Sequence, residues 1–517
     1  MQRTWGLLAL TACAPEAMTP PGTDTASVEP EPPLIEAFSD PQLSAEALRP
    51  HLEALQAIAE ANDGHRSVGS PGYAASVDYV VSVAEGLGLT PTREDVPYRS
   101  WRATGPSTLT TDTEVWSSDA GELAAFVNAP GGSAVGVVTP VDVTIPPSST
   151  ANSSTSGCES EDFSAFPKGS IALIQRGTCT FTQKAQLAEA AGAIGVLIFN
   201  EGQPGRTDVV AGTMDPESNL SIPVLGLSYD LGADLTETLT PVTLDHAAEQ
   251  LDITTQNVLV TLDGQRSDRV LLGAHLDSVP AGPGLNDNGT GVAVMLQVMT
   301  MLANQPERAM EVTLGFWGAE EVGLVGSLHH ASQMSDDDIL RTIAHINIDM
   351  GGSPNPVRFV FDGDESDYAA PPSLNLPEGS AWLESTLLDH FVRRDEPTAP
   401  VRFEGRTDYV GFAQVGIPVA GIFTGAEKRM TEDEALTFAG TAGLAYDACY
   451  HQACDALENV DLEMLASVAQ GTGAVLTEIL DQEGPLPRAA GRLPLTPPAL
   501  RARWSPHTCD ASTVVVR

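Results

Sequence analysis

The sequence predicts an α/β fold: a mostly parallel sheet with helices on both faces, interrupted by a second, β-rich unit. Three observations carry this expectation. Over the second half of the chain, short apolar runs alternate with helical stretches. Val258–Leu262, Val270–Ala274, Met310–Trp317, Ile343–Ile348 and Pro418–Phe423 have strand character, while Gly289–Ala303, Gly323–Ser332 and Leu462–Ile479 have helical character. Strand, loop and helix repeated in this way argue for parallel strands buried on both sides. Between about Thr104 and Gln250 the texture changes to short β-rich runs separated by Gly, Pro and Ser turns. Finally, 517 residues with 42% hydrophobic content exceed what one small core can use, so two or three domains are expected.

Taken in order, the chain begins M-Q-R-T-W-G-L-L-A-L-T-A-C. One Arg, an apolar run and Leu10-Thr11-Ala12-Cys13 resemble a bacterial lipoprotein signal over residues 1–13, with Cys13 as the lipidated residue. The apolar run is far too short to span a bilayer, and no other segment has the length and apolarity to do so. Residues 14–42 are rich in Pro, Thr, Glu and Asp and are expected to form a flexible tether. Helical periodicity begins around Leu43–Ala61. A second helix is expected over Gly72–Gly88, with Pro71 at its entrance and glycine at its end. Residues 43–103 are thus the first part of the main body, 104–250 an insert and 251–483 the rest of the body. Residues 484–517 form a Pro- and Arg-rich tail. Within the insert, Gly169–Gln175, Lys184–Gly192 and Ala193–Asn200 form a strand–helix–strand unit.

The net charge is -43, from 69 acidic and 26 basic residues. Such a surface repels nucleic acid and anionic headgroups, so neither is an expected partner; membrane contact is expected only through a lipid anchor at Cys13. The six cysteines are Cys13, Cys158, Cys179, Cys449, Cys454 and Cys509. With Cys13 lipidated, Cys158–Cys179 and Cys449–Cys454 are two local disulfides that an oxidising compartment would permit, although spacing does not fix the pairing. Cys509 is then left over. The expected location is extracytoplasmic, either lipid-anchored in the cell envelope or secreted.

Chemistry concentrates in five short stretches. His275 lies in G-A-H-L-D-S-V, Asp287 in G-L-N-D-N-G-T-G, Glu320 and Glu321 in W-G-A-E-E-V-G, Asp349 in I-N-I-D-M and His451 in C-Y-H-Q-A-C-D. Two imidazoles and three carboxylates suit a pair of borderline-soft cations with one carboxylate bridging, hence two zinc ions per chain. His275, the Glu pair and Asp349 each follow an expected strand, and ligands of open α/β sheets gather beyond the carboxyl ends of the strands. A lone histidine at a strand end is ordinarily structural; several ligand-bearing stretches at neighbouring strand ends argue against that here. Asp277 sits two residues after His275 and is expected to accept the second imidazole N–H. Adjacent glutamates cannot both face one point, so one binds metal while the other serves as general base. Glu321 is assigned the first role and Glu320 the second, with the swap as the alternative.

The insert resembles the protease-associated domain through Arg176, Gly177, Cys179, Phe181, Lys184 and the A-A-G-A-I-G-V turn. The remainder resembles the co-catalytic di-zinc aminopeptidases of the secreted bacterial leucine aminopeptidase and vacuolar aminopeptidase Y type. Further matching stretches are G-S-P-G-Y-A-A-S-V-D-Y-V, G-A-E-E-V-G-L-V-G-S, G-R-T-D-Y-V-G-F and G-I-P-V-A-G-I-F-T-G-A-E. Together the similarity covers about Leu43 to Leu480. It implies a zinc-exopeptidase-like sheet and hydrolysis of the N-terminal peptide bond of peptides or proteins through a metal-bridging hydroxide; separately, a monomer is expected. It implies that Asp287 bridges, that His275 and Asp349 complete one site and Glu321 and His451 the other, and that Glu320 is the base. Tyr450 would donate to the tetrahedral oxyanion, Arg406 would lie near the substrate with Asp408 close by, and a Cys449–Cys454 bridge would clamp the loop that presents Tyr450 and His451. Rival readings are a carboxypeptidase, dipeptidase or glutaminyl cyclase on the same fold, or a receptor-like ectodomain without chemistry.

Overall fold

Strands buried over most of their length need cover on both faces, and four such strands form the centre of the molecule. Met310–Trp317, Arg266–His275, Thr342–Ile348 and Val419–Phe423 pair in parallel in that spatial order. The computed structural model describes residues 40–482 and 486, apart from 216, 217, 238, 239, 306, 372, 373 and 375. The signal with Cys13, nearly all of the 14–42 tether and the tail with Cys509 lie outside the described residues.

The central sheet is parallel in its middle and mixed at its margins. Ala248–Leu262 runs antiparallel to Met310–Trp317, and Thr92–Ala103 pairs antiparallel outside it. At the other margin Phe359–Phe361 is antiparallel to Val419–Phe423 and carries Ala399–Val401 in parallel. Eight strands result. The marginal strands Thr92–Ala103, Phe359–Phe361 and Ala399–Val401 escape the sequence pattern. The first is largely polar and half-exposed, and the other two are only three residues long.

Alternation along the strands divides the core. Val270, Leu272 and Ala274 pack into a large cluster with the helices Ala45–Glu60, Pro71–Gly86, Thr290–Ala303, Gly379–Arg393 and Leu462–Leu480. Leu271 and Trp317 face a second cluster with Leu328, Ile339 and Phe412. The helix starts follow from local chemistry. The Ser70 hydroxyl accepts the Tyr73 N–H at 3.1 Å with Pro71 in the first turn, and Asp461 accepts from Glu463 and Met464, each at 3.0 Å.

The insert leaves the sheet after Ala103 and returns at Ala248. It forms a second eight-stranded sheet whose middle strands, Gly132–Val141, Ile171–Gln175, Gly195–Phe199 and Val224–Leu227, are parallel. The expected strand–helix–strand unit is present, with its helix at Phe181–Ala191, capped by Thr180 and ended by Gly192 at φ 96°. Both disulfides, Cys158–Cys179 and Cys449–Cys454, are formed. The two strands that carry the insert pair from Thr92↔Leu259 to Ala103↔Ala248. The last contact of this ribbon with the catalytic strands is Val258↔Phe316, so it projects beyond their carboxyl ends. The indole N–H of Trp101 donates to the Ala129 carbonyl and the Gln250 amide to that of Asn128, both at 2.8 Å, fixing the insert to the ribbon tip. No helix among the described residues is long and apolar enough to cross a membrane.

Candidate metal centre

The strand Arg266–His275 ends on His275, Thr342–Ile348 delivers Asp349, and Met310–Trp317 runs into the turn bearing Glu320 and Glu321. Asp287 enters from the loop before Thr290–Ala303, and His451 from the disulfide-closed loop. Several of these side chains are aimed by uncommon backbone. Ala319, Met350 and His451 have φ of 61°, 51° and 57°, left-handed values that cost a non-glycine residue on the order of 1 kcal/mol or more. All three are an expected ligand or stand beside an expected ligand or the expected base.

The five expected ligands converge. His275 Nε2 lies 3.1 Å from Asp287 Oδ1 and 3.4 Å from Asp349 Oδ1. His451 Nε2 lies 3.2 Å from Asp287 Oδ2 and 3.0 Å from Glu321 Oε2. Asp287 thus gives one oxygen to each of two sets of donor atoms. Four donors at zinc distances of 2.0–2.1 Å in a tetrahedron are about 3.3 Å apart, close to these separations. His275 Nε2, Asp349 Oδ1 and Glu321 Oε1 are buried and make no hydrogen bond. Buried polar atoms are otherwise nearly always paired, so His275 Nε2 and Asp349 Oδ1, which approach to 3.4 Å unpaired, fit a shared cation.

The electrostatics agree. Burial pushes Glu321 up to about 7, helped by Asp287 and opposed by His451. Burial pushes Glu320 well above the usual range, with Asp408, Glu321 and Asp349 adding to it against His275. Burial would lower His451, but hydrogen bonds to Asp287 and Glu321 outweigh it and push it up to about 10. Crowded carboxylates and proton-hungry imidazoles together mark a site whose charge balance calls for cations.

The supporting hydrogen bonds explain how the ligands are held. Asp349 Oδ2 accepts from the Thr407 hydroxyl at 2.6 Å, and Thr407 accepts from the Asn347 amide at 2.9 Å. Asp455 accepts the backbone N–H groups of Asn286 and Asp287 at 2.8 and 3.0 Å. Thr407 and Asp455 are not among the residues expected from sequence, though both lie inside the motifs G-R-T-D and C-Y-H-Q-A-C-D. Asp277 differs from expectation. Its backbone carbonyl, not its carboxylate, sits against His275 Nδ1 at 3.1 Å, while the carboxylate is 3.8 Å away. That carboxylate instead accepts the N–H groups of Glu320 and Glu321 at 3.1 and 3.3 Å. The turn at Ala319 presents two amides to it, and the nearer backbone oxygen is left to fix the imidazole.

Beside the centre opens a cavity of about 410 Å³, lined at one end by Asp287, Glu320 and His451 and elsewhere by Phe359, Phe423 and Tyr446. Tyr450 stacks on His451, with ring centroids 3.8 Å apart. Arg406 donates to the Tyr450 hydroxyl at 3.2 Å and to Glu427 at 3.0 Å. Tyr450 itself lines the cavity. Asp408 is buried behind the centre, and burial, with Asp349 and Asp277 adding to it against His275, pushes it up to about 7.

A parallel sheet whose carboxyl edge holds two histidine–carboxylate sets sharing one aspartate defines a metallohydrolase. Residues 257–476 match the model of peptidase family M28, and residues 140–235 match that of the PA domain. An aminopeptidase of Pseudomonas aeruginosa is 39% identical over 433 residues, covering 82% of this chain and 78% of its own. A probable lipoprotein aminopeptidase of Mycobacterium tuberculosis, LpqL, is 36% identical over 84% of this chain and 85% of its own. The solved structure of a zinc aminopeptidase from Bacillus subtilis superposes with a TM-score of 0.55 at 23% identity, covering 85% of this chain and 96% of that one. The chain belongs to peptidase family M28 and carries an inserted PA domain.

Proposed function

We propose that this protein removes N-terminal residues from peptides at a centre of two zinc ions, one held by His275 and Asp349, the other by Glu321 and His451, with Asp287 shared. The chain is an aminopeptidase of family M28; zinc as its metal, the ion count and the residue roles are our reading. The observation that carries it is the division of the two Asp287 oxygens between two histidines at 3.1 and 3.2 Å. Bound there, zinc would polarise the scissile carbonyl and acidify a water molecule. Glu320, at the cavity wall beside the expected ligands, takes the proton of the attacking water and delivers it to the leaving amine. Tyr450 donates a hydrogen bond from its hydroxyl to the developing oxyanion, oriented by stacking on His451 and by Arg406. Asp277 holds the turn that separates Glu320 from Glu321, so that one faces the cavity while the other serves as ligand.

We assign residues 43–103 and 251–483 to the peptidase body and 104–250 to the PA domain. The similarity to a probable lipoprotein aminopeptidase supports a place outside the cytoplasm with Cys13 as lipid anchor; we take the protein to act as a monomer. The test is zinc analysis together with hydrolysis of aminoacyl anilides by wild type and Glu320→Ala. Two zinc ions in both proteins, with kcat lowered on the order of 10²- to 10⁴-fold in the variant, is the expected result. Hydrolysis retained by the variant would remove Glu320 from the base role.

A further inference from the structure

The ligands His275 and Asp287 are joined by the loop Leu-Asp-Ser-Val-Pro-Ala-Gly-Pro-Gly over 276–284, which has no strand or helix to hold it. Its carbonyls need donors, and its two ends must place ligands to within about 0.5 Å of their working positions. One side chain supplies those donors from outside the sheet. Arg66, in the connection between the helices Ala45–Glu60 and Pro71–Gly86, is wholly buried. Its Nε donates to the Pro283 carbonyl at 2.9 Å, its Nη2 to Gly284 at 2.7 Å, and its Nη1 to Leu276. Its backbone N–H donates to the Ser278 hydroxyl at 2.9 Å, and the Ser278 hydroxyl donates on to the Gly282 carbonyl at 3.0 Å. The guanidinium therefore ties together the residue after His275 and the turn that leads into Asp287.

The same loop also seats the third segment. A Cβ on Gly282 would stand 2.2 Å from the Gln452 carbonyl oxygen, next to His451, and the Leu285 N–H donates to the Asp455 carbonyl at 3.0 Å. Among the described residues no carboxylate bonds to this guanidinium; Asp277, Asp455, Asp287 and Glu321 answer its charge at longer range. A buried cation without an ion-pair partner is expensive, and an ammonium lacks the rigid fork that reaches three separate carbonyls. A mere core filler would not need that fork.

We propose that Arg66 is a positioning residue of the metal centre: by clasping the 276–284 loop it sets the separation of His275 and Asp287 and the seat of His451, so zinc affinity depends on it. This rests on the two-zinc reading above. The test uses metal-stripped full-length wild type, Arg66→Lys and Ser278→Ala. It measures zinc stoichiometry, zinc Kd by chelator competition, and thermal unfolding without metal. Arg66→Lys is expected to weaken zinc binding on the order of 10- to 100-fold, with kcat recovering at high zinc and KM unchanged. Ser278→Ala is expected to weaken it less, in the same direction. Wild-type zinc Kd in both variants, even with a lowered Tm in Arg66→Lys, overturns the proposal. If Arg66→Lys does not fold, Ser278→Ala decides alone: weakened binding supports the clasp and unchanged binding overturns it. Fewer than two zinc ions on wild type would overturn the reading of the centre itself.

Discussion

The two sheets of this molecule are built alike and finished differently. Each has eight strands with parallel strands in the middle, and each sends polar side chains beyond the carboxyl ends of those strands. In the insert they are consumed internally. Glu201, just past Gly195–Phe199, accepts the amides of Asn152, Ser153 and Ser154 at 2.8, 3.1 and 3.4 Å and pairs with Arg206 at 2.8 Å. Gln175 accepts the Thr144 N–H at 3.0 Å and donates back to its carbonyl at 3.3 Å. In the central sheet the corresponding edge keeps buried atoms of His275, Glu321 and Asp349 without hydrogen bonds. Topology offers both sheets an edge suited to binding; in the insert Glu201 and Gln175 are taken up by hydrogen bonds, with Gln203 Oε1 a buried exception, whereas the unsatisfied ligand-type atoms of the central edge leave it for a cation.

Substitutions can break or sharpen this contrast. The largest effect is expected from Asp287→Ala, which takes an oxygen from both donor sets: zinc content should fall from two ions toward none and anilide hydrolysis to background, measured by metal analysis and steady-state rates. Loss of a single ion would mean that Asp287 serves one site only. Next comes Tyr450→Phe, expected to lower kcat on the order of 10²-fold while zinc content stays the same. Thr407→Val removes the donor to Asp349 and should raise the zinc Kd about tenfold with little change at saturating zinc. Smallest in activity is Glu201→Gln. It exchanges an acceptor for a donor in a saturated buried network, so unfolding by denaturant should show a loss of about 2–4 kcal/mol while kcat/KM on an anilide is unchanged. A zinc or rate effect there would show that the two edges are coupled.

Much of the centre was legible because ligands need particular atoms and strand ends place them. His275, the Glu pair and Asp349 could be read from residue type and position alone. The supports were harder. Thr407 and Asp455 act through one hydroxyl and one carboxylate whose partners lie 58 and 168 positions away, and nothing local distinguishes them from turn residues. Asp277 was named with the wrong atom, since which oxygen meets His275 depends on where the Ala319 turn puts its amides. Arg66 sits 210 positions from Leu276, and its sequence neighbourhood resembles any helix-to-helix connection. The ribbon strands went unread because alternation fails where a strand leaves the core and becomes exposed on both faces.

Composition and periodicity by themselves determined the α/β class, the β-rich insert, the acidic surface and the inventory of donor atoms. Those are properties of residues and of their near neighbours, governed by burial and side-chain chemistry within a turn or a strand. Folding over long separations decided the rest: which oxygen of Asp287 serves which histidine, which amides claim Asp277, and which of two similar sheet edges stays open. Hydrogen bonds saturate, so the fate of each polar atom depends on the partners that distant parts of the chain bring within 3 Å of it, and no local pattern encodes that.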